Sequence, residues 1–281
     1  MEKEWRFIDT GAQSPAMNMA IDEAILTAHA EGKVPPTLRF YGWNPATLSI
    51  GYFQKAEEEV DFSEVERQGI GFVRRATGGR AVLHDQELTY SIIVSEKAPG
   101  IPKTVNEAYR VLSMGLLHGF RLLQLDAEMV NLSSSDDKGK YAAASSAACF
   151  DSPSWYELVV EGRKIAGSAQ TRQKGVVLQH GSILLDMDVD QLFSLLKFPS
   201  ERVKERLMRS FNSKAVAIND IKSQIGQPPA TMAELRTAFR RGYEEGMGLQ
   251  LTPSELTPYE MELAEQLASE KYGSTEWNRK R

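Results

Sequence analysis

The sequence predicts an α/β protein of the α+β type, with a mixed, largely antiparallel sheet flanked by helices. Short strand-like segments separated by glycine turns recur along the chain up to residue 185, and helical periodicity dominates after Asp190. Strands that precede a run of helices are typical of this class. The length of 281 residues, with 42% hydrophobic and 25% charged residues, predicts one domain over 1–250 and a C-terminal helical extension over 251–281.

The first predicted element is a helix that begins at Ser14-Pro15 and ends before Gly32. Serine caps the first turn, and proline costs nothing at the first helical position because its missing N–H has no partner there. Asp61, followed by Glu64, predicts a short capped helix to about residue 68. Strands are predicted over 37–41, 47–53, 70–74, 80–83 and 88–94.

The second half begins with a capping box, Thr104 with Glu107, which predicts a long helix to about residue 122. A polar loop is expected over 131–140. Turns at Gly162 and Gly175 then divide an antiparallel meander. Its strands are predicted over 156–160, 164–169 and 176–185, and the helices that follow over about 190–197, 200–211, 231–247 and 258–272.

Charge and cysteine content exclude several classes of function. A net charge of −5 and a pI of about 5.6 disfavour general nucleic-acid binding, which depends on neutralising phosphates. Cys149 is the one cysteine, so an intramolecular disulfide and a thiolate metal cluster are excluded. The N-terminus lacks the apolar run of a secretory signal, and no stretch approaches the roughly 18–20 apolar residues of a membrane helix. We therefore expect a cytoplasmic protein that does not associate with a membrane.

The segment 74–85, RRATGGRAVLHD, is the first candidate binding site. Two adjacent glycines let backbone N–H groups approach a carbonyl or phosphate oxygen, and the arginines add donors and positive charge. The alternative is a hairpin turn with solvated arginines. The candidate binding residues of this segment are Arg74, Arg75, Thr77, Gly78, Gly79, Arg80 and His84.

The segment 156–170, YELVVEGRKIAGSAQ, is the second candidate. Gly162 supplies a turn that returns Lys164 along the next strand, where a lysine among small residues can point into a cleft. Gly167 and Ser168 allow a ligand or another backbone to come close. The alternative for Lys164 is an edge-strand lysine that blocks aggregation.

Cys149 is a candidate nucleophile, since it precedes the lysine hairpin and a nearby cation lowers the pKa of a thiol. The alternative is a small buried apolar side chain. His180, in the segment QHGSILLD, and His84 provide two imidazoles. Either one is a candidate to form a Cys–His pair with Cys149. Both histidines can instead hold loops in place. The P-loop, GxGxxG, zinc-binding and GxSxG patterns are absent from the sequence.

Taken together, RRATGGRAVLHD, GRKIAGSAQ and QHGSILLD, with Asn18 to Ala24 near the N-terminus, resemble the biotin/lipoate protein ligase and lipoyl/octanoyl transferase superfamily. The resemblance covers about residues 5–250 and implies the α/β catalytic domain shared with biotin ligases. ATP-dependent ligases of that superfamily typically carry a third glycine where this chain has Arg80. Cys149 and its spacing to Lys164 are similar to the cysteine-dependent octanoyltransferase branch.

That branch implies specific partners and catalytic residues. The donor is expected to be octanoyl-acyl carrier protein, and the acceptor is expected to be a lipoyl-domain lysine of the glycine cleavage H protein. Cys149 and Lys164 are the expected catalytic residues, with no ATP, metal or other cofactor. Three alternatives stay open: an ATP-dependent lipoate ligase, an amidotransferase that moves octanoyl between carrier domains, and a non-catalytic protein that binds lipoyl domains.

Overall fold

The computed structural model describes residues 4–131 and 156–280, and its centre is a six-stranded mixed sheet. The strands of this sheet are β1 (Glu4–Gln13), β2 (Thr37–Trp43), β6 (Glu87–Ser95), β10 (Ala166–Gln173), β11 (Val176–Leu184) and β12 (Gln250–Pro253). The spatial order is β10-β11-β6-β2-β1-β12. The first four strands in this order pair antiparallel, and β2, β1 and β12 pair parallel. The predicted α/β class with a mixed sheet is confirmed.

Two three-stranded sheets flank the central one. In the first, the middle strand β3 (Thr47–Ile50) pairs parallel with β4 (Gly71–Arg74) and antiparallel with β5 (Val82–His84). The second sheet is antiparallel and consists of β7 (Ala127–Asn131), β8 (Tyr156–Val160) and β9 (Arg163–Lys164).

Helices lie on both faces of the central sheet, and others pack around the smaller sheets. They are α1 (Pro15–Ala30), α2 (Ala56–Glu59), α3 (Phe62–Arg67), α4 (Val105–Leu112), α5 (Met114–Leu122), α6 (Val189–Ser194), α7 (Glu201–Lys214), α8 (Ile218–Gln224), α9 (Met232–Met247), α10 (Pro258–Leu267) and α11 (Thr275–Arg279). Ser14 caps α1 as predicted, since its hydroxyl accepts from the Met17 N–H at 3.3 Å. The predicted long helix to residue 122 is two helices, α4 and α5, divided at the buried Ser113.

The alternation of side chains along β6 determines where the site lies. Leu88, Tyr90 and Ile92 point into the apolar core that α5 and α9 share with the sheet. Because side chains alternate between faces, Thr89 and Ser91 point to the other face, toward α1. Ser91 donates to the Asp22 carboxylate of α1 at 2.8 Å. The sheet therefore has a polar interior patch on the α1 side, and the candidate site is built around it.

The predicted boundary at residue 250 falls inside a strand of the main sheet. β12 spans this position and pairs with β1, so Glu4 lies opposite Gln250. Beyond it, α10 packs on α1, and the buried Glu260 carboxylate accepts hydrogen bonds from Arg6 of β1. The C-terminal residues are therefore part of the same layered structure. Among the described helices, none has the length and apolar character needed to cross a bilayer.

Candidate active site

The predicted binding segment 74–85 begins at the end of β4 and reaches the end of β5, and Arg75 shapes the loop between these strands. The Arg75 guanidinium is buried and donates to the carbonyl and hydroxyl oxygens of Ser49 at 3.0 and 2.6 Å. It also donates to the carbonyls of Gly78 and Arg80, at 3.2 and 2.9 Å. These hydrogen bonds bend the loop around the guanidinium.

The neighbouring Arg74 also uses its guanidinium to bind backbone carbonyls. Its side chain is fully buried and donates to the carbonyls of Gln54 and Lys280, each at 2.7 Å. It thereby ties the end of the chain to the loop after β3. The Arg74 side chain thus donates to backbone carbonyls, whereas Arg75 also lines the slot described below. Arg80 is one-third exposed, and its Nη1 lies 3.6 Å from the Glu59 carboxylate.

The glycine pair lies against the end of β3. Gly79 has φ of +96°, in the left-handed region that favours glycine. A Cβ added to Gly51 would lie 2.1 Å from the Gly79 carbonyl oxygen, so the two backbones are in direct contact there. Both positions require glycine for the loop to keep this path.

A chain of buried polar side chains joins this loop to the central sheet. Thr77 Oγ1 lies 2.7 Å from Nε2 of His180 on β11, and Nδ1 of His180 lies 3.4 Å from Oδ2 of Asp22. Asp22 in turn accepts from Arg39 at 2.7 Å and from the Tyr41 hydroxyl at 3.0 Å. Burial acts to raise the pKa of the Asp22 carboxyl, but the charges and hydrogen bonds of Arg39 and His180 outweigh it and hold that pKa below its usual 3.8. Asp22 is therefore ionised at neutral pH.

His84 lies at the end of β5 in a second polar cluster. Its Nε2 lies 2.7 Å from the Ser49 hydroxyl, and its Nδ1 lies 3.2 Å from a carboxylate oxygen of Glu87. Trp43 stacks on the imidazole, with ring centroids 4.3 Å apart. Burial lowers the pKa of His84 below its usual 6.5, although the Glu87 carboxylate acts in the opposite direction. The neutral imidazole is thus the favoured form at pH 7, and it supports the loop as a hydrogen-bonding group.

A narrow slot lies between these two clusters. Gly167 and Ser168 of β10 form one wall, and Gly181 of β11 lies beside them. A Cβ on Gly181 would lie 2.4 Å from the Gly167 carbonyl oxygen, so only glycine fits there. The Tyr90 hydroxyl donates to the Ser168 hydroxyl at 2.8 Å. The other lining residues are Met19, Tyr41, Trp43, Arg75, Val82, His84, Thr89, Ala169, His180 and Ser182.

Lys164 ends β9, two residues before β10 begins. The two-residue turn Glu161-Gly162, with φ of 51° and 71°, is typical of a tight hairpin and returns Lys164 beside Val159 of β8. Nζ of Lys164 donates to Oε1 of Glu157 at 3.1 Å and lies 3.0 Å from Oε2. The Lys164 side chain is therefore largely buried, and its amine has a carboxylate group as its partner.

Cys149 lies outside the described residues. The segment 132–155 that carries it connects β7 to β8, whose ends Asn131 and Tyr156 pair with each other. The structure thus brings Arg75, His84, His180, Gly167 and Ser168 together around one slot, and places Thr77 and Lys164 on elements that adjoin it.

Sequence reasoning assigned no role to several residues of the polar clusters. Asp22 was visible in the N-terminal segment Asn18 to Ala24, and Glu87 follows His84 by three residues. Nothing local distinguished Ser49, Arg39 or Glu157 from ordinary strand residues, and their partners come from distant parts of the chain. The residues in question are Asp22, Arg39, Ser49, Glu87 and Glu157.

Comparison with known proteins identifies the family to which a chain with this arrangement belongs. Residues 14–244 match the family described as the lipoyl protein ligase A/B catalytic domain. The octanoyltransferase LipM of Brevibacillus brevis is 64% identical over 99% of this chain and 100% of its own length. The LipM proteins of Geobacillus kaustophilus and Bacillus subtilis are 62% and 58% identical, each over 100% of both chains.

Solved structures of lipoate ligases are more distant in sequence but share the fold. A bipartite lipoate protein ligase from Thermoplasma acidophilum superposes with a TM-score of 0.80 at 28% identity, covering 99% of this chain and 97% of that one. A lipoate-protein ligase A bound with ATP has a TM-score of 0.76 at 28% identity, covering 99% of each chain. The far higher identity to octanoyltransferases decides the branch. The chain belongs to the lipoyl protein ligase A/B catalytic domain family and, within it, to the LipM octanoyltransferases, which are acyltransferases.

Proposed function

We propose that this octanoyltransferase takes its acyl group from the thioester of octanoyl-acyl carrier protein and delivers it to a lipoyl-domain lysine, with Cys149 as the covalent carrier. Octanoyl transfer in lipoate biosynthesis is the activity of the family to which the chain belongs. The observation that carries the cysteine mechanism is the ion-paired Lys164 on a hairpin that begins seven residues after Cys149, the lone cysteine.

The first step is thiol exchange. The Cys149 thiolate attacks the thioester carbonyl, the bond from the carbonyl carbon to the carrier sulfur breaks, and the carrier leaves as a thiol after it takes a proton. One thioester replaces another, so the step is close to neutral in free energy and requires no ATP. We therefore propose that the enzyme works without a cofactor.

The second step forms the stable product. The neutral amine of the acceptor lysine attacks the acyl-Cys149 thioester, loses a proton, and forms an amide while Cys149 leaves as a thiolate. Lys164 has two candidate roles in these two reaction steps. As an ammonium it stabilises the thiolate and the developing oxyanion, and as a neutral amine it takes the proton from the acceptor.

We propose that the slot beside β10 and β11 receives the thioester end of the acyl group, since its volume of about 30 Å³ is too small for a whole octanoyl chain. Trp43, Met19 and Val82 give it apolar surface, and the absence of side chains at Gly167 and Gly181 leaves room beside the backbone. We propose that backbone N–H groups near Gly78-Gly79 and near Gly167-Ser168 donate to the carbonyl oxygen as charge develops on it. Arg80 is the most exposed of the three arginines in segment 74–85, and we propose that it contacts an acidic carrier protein.

The acceptor we propose is the lipoyl domain of the glycine cleavage H protein, and the cellular location we propose is the cytoplasm.

Three rival functions differ in what they require of the protein. A lipoate ligase forms an acyl-adenylate and does not need Cys149, an amidotransferase takes octanoyl from a carrier domain's amide, and a carrier-binding protein is never acylated. Identity of 58–64% to octanoyltransferases favours the octanoyltransferase function over these three rivals.

The test is the intact-protein mass after the enzyme is mixed with octanoyl-acyl carrier protein without ATP. We expect wild type to gain one octanoyl group that hydroxylamine removes, and Cys149→Ala to gain none while it retains its far-UV circular dichroism. Addition of H protein is expected to discharge the adduct and transfer the mass. An unmodified wild type that transfers octanoyl only with free octanoate and ATP would establish the ligase mechanism instead.

A further inference from the structure

Glu157 and Lys164 lie on one face of the three-stranded sheet. Lys164 of β9 is directly opposite Val159 of β8, and Glu157 is two residues before Val159 on the same strand. Residues two apart on a strand share a face, so Glu157 and Lys164 are diagonal neighbours across the hairpin. The register of the hairpin therefore fixes which carboxylate meets the lysine.

The contact is close and largely shielded from water. Nζ of Lys164 lies 3.1 and 3.0 Å from the two carboxylate oxygens, and the side chains of Lys164 and Glu157 are 11% and 4% exposed. A carboxylate this deeply buried is costly unless a positive charge compensates it. If Lys164 were neutral, Glu157 would lose that compensation. The short distances to both carboxylate oxygens therefore favour the form in which both groups are charged.

The neighbouring charges on the described strands do not weaken this conclusion. On β7, Glu128 lies opposite Val159 and so shares the face of Lys164, adding a second carboxylate. Arg163, the cation next to Lys164 in sequence, is the next residue along the strand and points to the other face. Its guanidinium pairs with the Glu161 carboxylate at 3.0 Å and with the Gln224 side chain at 2.8 Å. The charged surroundings of Lys164 on this face favour its cationic form.

We propose that Glu157 is a positioning residue that holds Lys164 in the site as an ammonium ion, so that Lys164 serves acyl transfer as a fixed positive charge and not as a proton acceptor. The inference rests on the proposed function for the reaction that Lys164 serves. It selects one of the two roles above, and it leaves removal of the acceptor lysine's proton to solvent or to another group.

The two roles of Lys164 predict opposite effects of Glu157→Gln, which removes the charge and keeps the shape. If Lys164 acts as an ammonium, loss of the carboxylate reduces the charged fraction and slows transfer. If Lys164 acts as a base, the same loss increases the neutral amine and speeds transfer at neutral pH. We expect Glu157→Gln to lower kcat/KM by about tenfold at pH 7, and Glu157→Asp, which keeps the charge, to recover part of it.

A direct readout of the lysine does not depend on acyl transfer. Reductive methylation modifies only neutral amines, so its rate at Lys164, followed by peptide mass spectrometry, reports the neutral fraction. We expect about a tenfold faster methylation of Lys164 in Glu157→Gln than in wild type, the change that one pKa unit produces in a mostly charged amine. Lys271, which pairs with Glu23 of α1 at 2.6 Å, is the internal control whose rate stays the same.

Lys164→Arg and Lys164→Met provide a second test that keeps Glu157 in place. Arginine stays charged and cannot accept a proton, whereas methionine removes the charge. We expect Lys164→Arg to retain more transfer activity than Lys164→Met. Faster transfer by Glu157→Gln at pH 7 would overturn the proposal, and so would an unchanged rate of Lys164 methylation in that variant. A wild type that forms no acyl-Cys149 would overturn the proposed function instead and leave the methylation result standing.

Discussion

Nε2 of His180 lies 2.7 Å from Oγ1 of Thr77, and this contact joins the central sheet to the glycine loop. The other nitrogen of the same imidazole faces Asp22, which Arg39 and Tyr41 hold in place. The position of the loop is therefore set by a buried network that extends to α1. Substitutions at Thr77, Gly181 and Asp22 test this network and the slot beside it. The pH dependence of the free energy of unfolding tests the protonation of His84.

Thr77→Val keeps the shape of the side chain and removes its hydroxyl. Because Nε2 of His180 then loses a buried partner, we expect the free energy of unfolding to fall by about 1–3 kcal/mol. The loop is also expected to lose its fixed position, which lowers kcat more than it changes KM. Urea unfolding and steady-state transfer measure both effects. Thr237→Val, on the exposed side of α9, is the matched control, and an equal loss of activity in both variants would contradict the role of the contact.

Gly181→Ala tests whether the slot holds the acyl group. The added Cβ would meet the Gly167 carbonyl oxygen at 2.4 Å, so the two strands must separate at the slot. We expect transfer of octanoyl to fall by more than tenfold, a loss of about 1.4 kcal/mol or more in transition-state stabilisation. Gly175→Ala, at the opposite end of the same hairpin, costs backbone strain but has open space around its Cβ. Normal transfer by Gly181→Ala would place the acyl group elsewhere.

His84 predicts a loss of stability below neutral pH. Since burial lowers the pKa of His84 from 6.5, the unfolded chain binds a proton that the folded chain resists. The contribution is fully present above pH 6.5 and decreases as the pH falls from there toward the pKa of the folded state. We expect the free energy of unfolding, measured in urea at pH 7.5, 6.5 and 5.5, to fall across this range. His84→Gln should show a shallower fall, and an unchanged slope would contradict the assignment.

Asp22→Asn tests the buried ion pair with Arg39. Both side chains are at most 2% exposed, so removing the carboxylate's charge leaves the guanidinium buried without a counter-ion. We expect the free energy of unfolding to fall by about 3–5 kcal/mol. Glu58→Gln removes one partner of the exposed Lys55–Glu58 pair and should cost less than about 1 kcal/mol. Similar costs for the two variants in urea unfolding would show that the network is not what holds α1 on the sheet.

Local sequence predicted the elements that depend on local contacts. Ser14 and Asp61 cap the helices that begin after them, because a capping side chain bonds to N–H groups two or three residues away. The turns at Gly162 and Gly175 form the hairpins β8–β9 and β10–β11, as predicted. The single meander predicted over 156–185 is wrong, because the predicted strand 164–169 is interrupted at Ile165 and its two parts, β9 and β10, belong to different sheets. These signals lie within a few residues of the element they define.

Two strands of the central sheet were not predicted because their partners are remote. β1 lies between β2 and β12, and Glu4 pairs with Gln250, at the other end of the chain. Residues 250–253 are too few for a periodic pattern, and the sequence of β1 carries glycine and charged residues that are unusual in a strand. Parallel pairing across that distance is a property of the assembled sheet.

The sequence by itself determined which residue types were available for the chemistry: one cysteine, the lysine hairpin, two histidine motifs and the glycine loop. Only the tertiary structure decided how their donors and charges are used. It directs Arg74 and Arg75 to backbone carbonyls, pairs Asp22 with Arg39, and sets Glu157 against Lys164. The physical reason is that a buried charge must be compensated within about 3–4 Å, and the group that lies at this distance is determined by the packing of the whole chain.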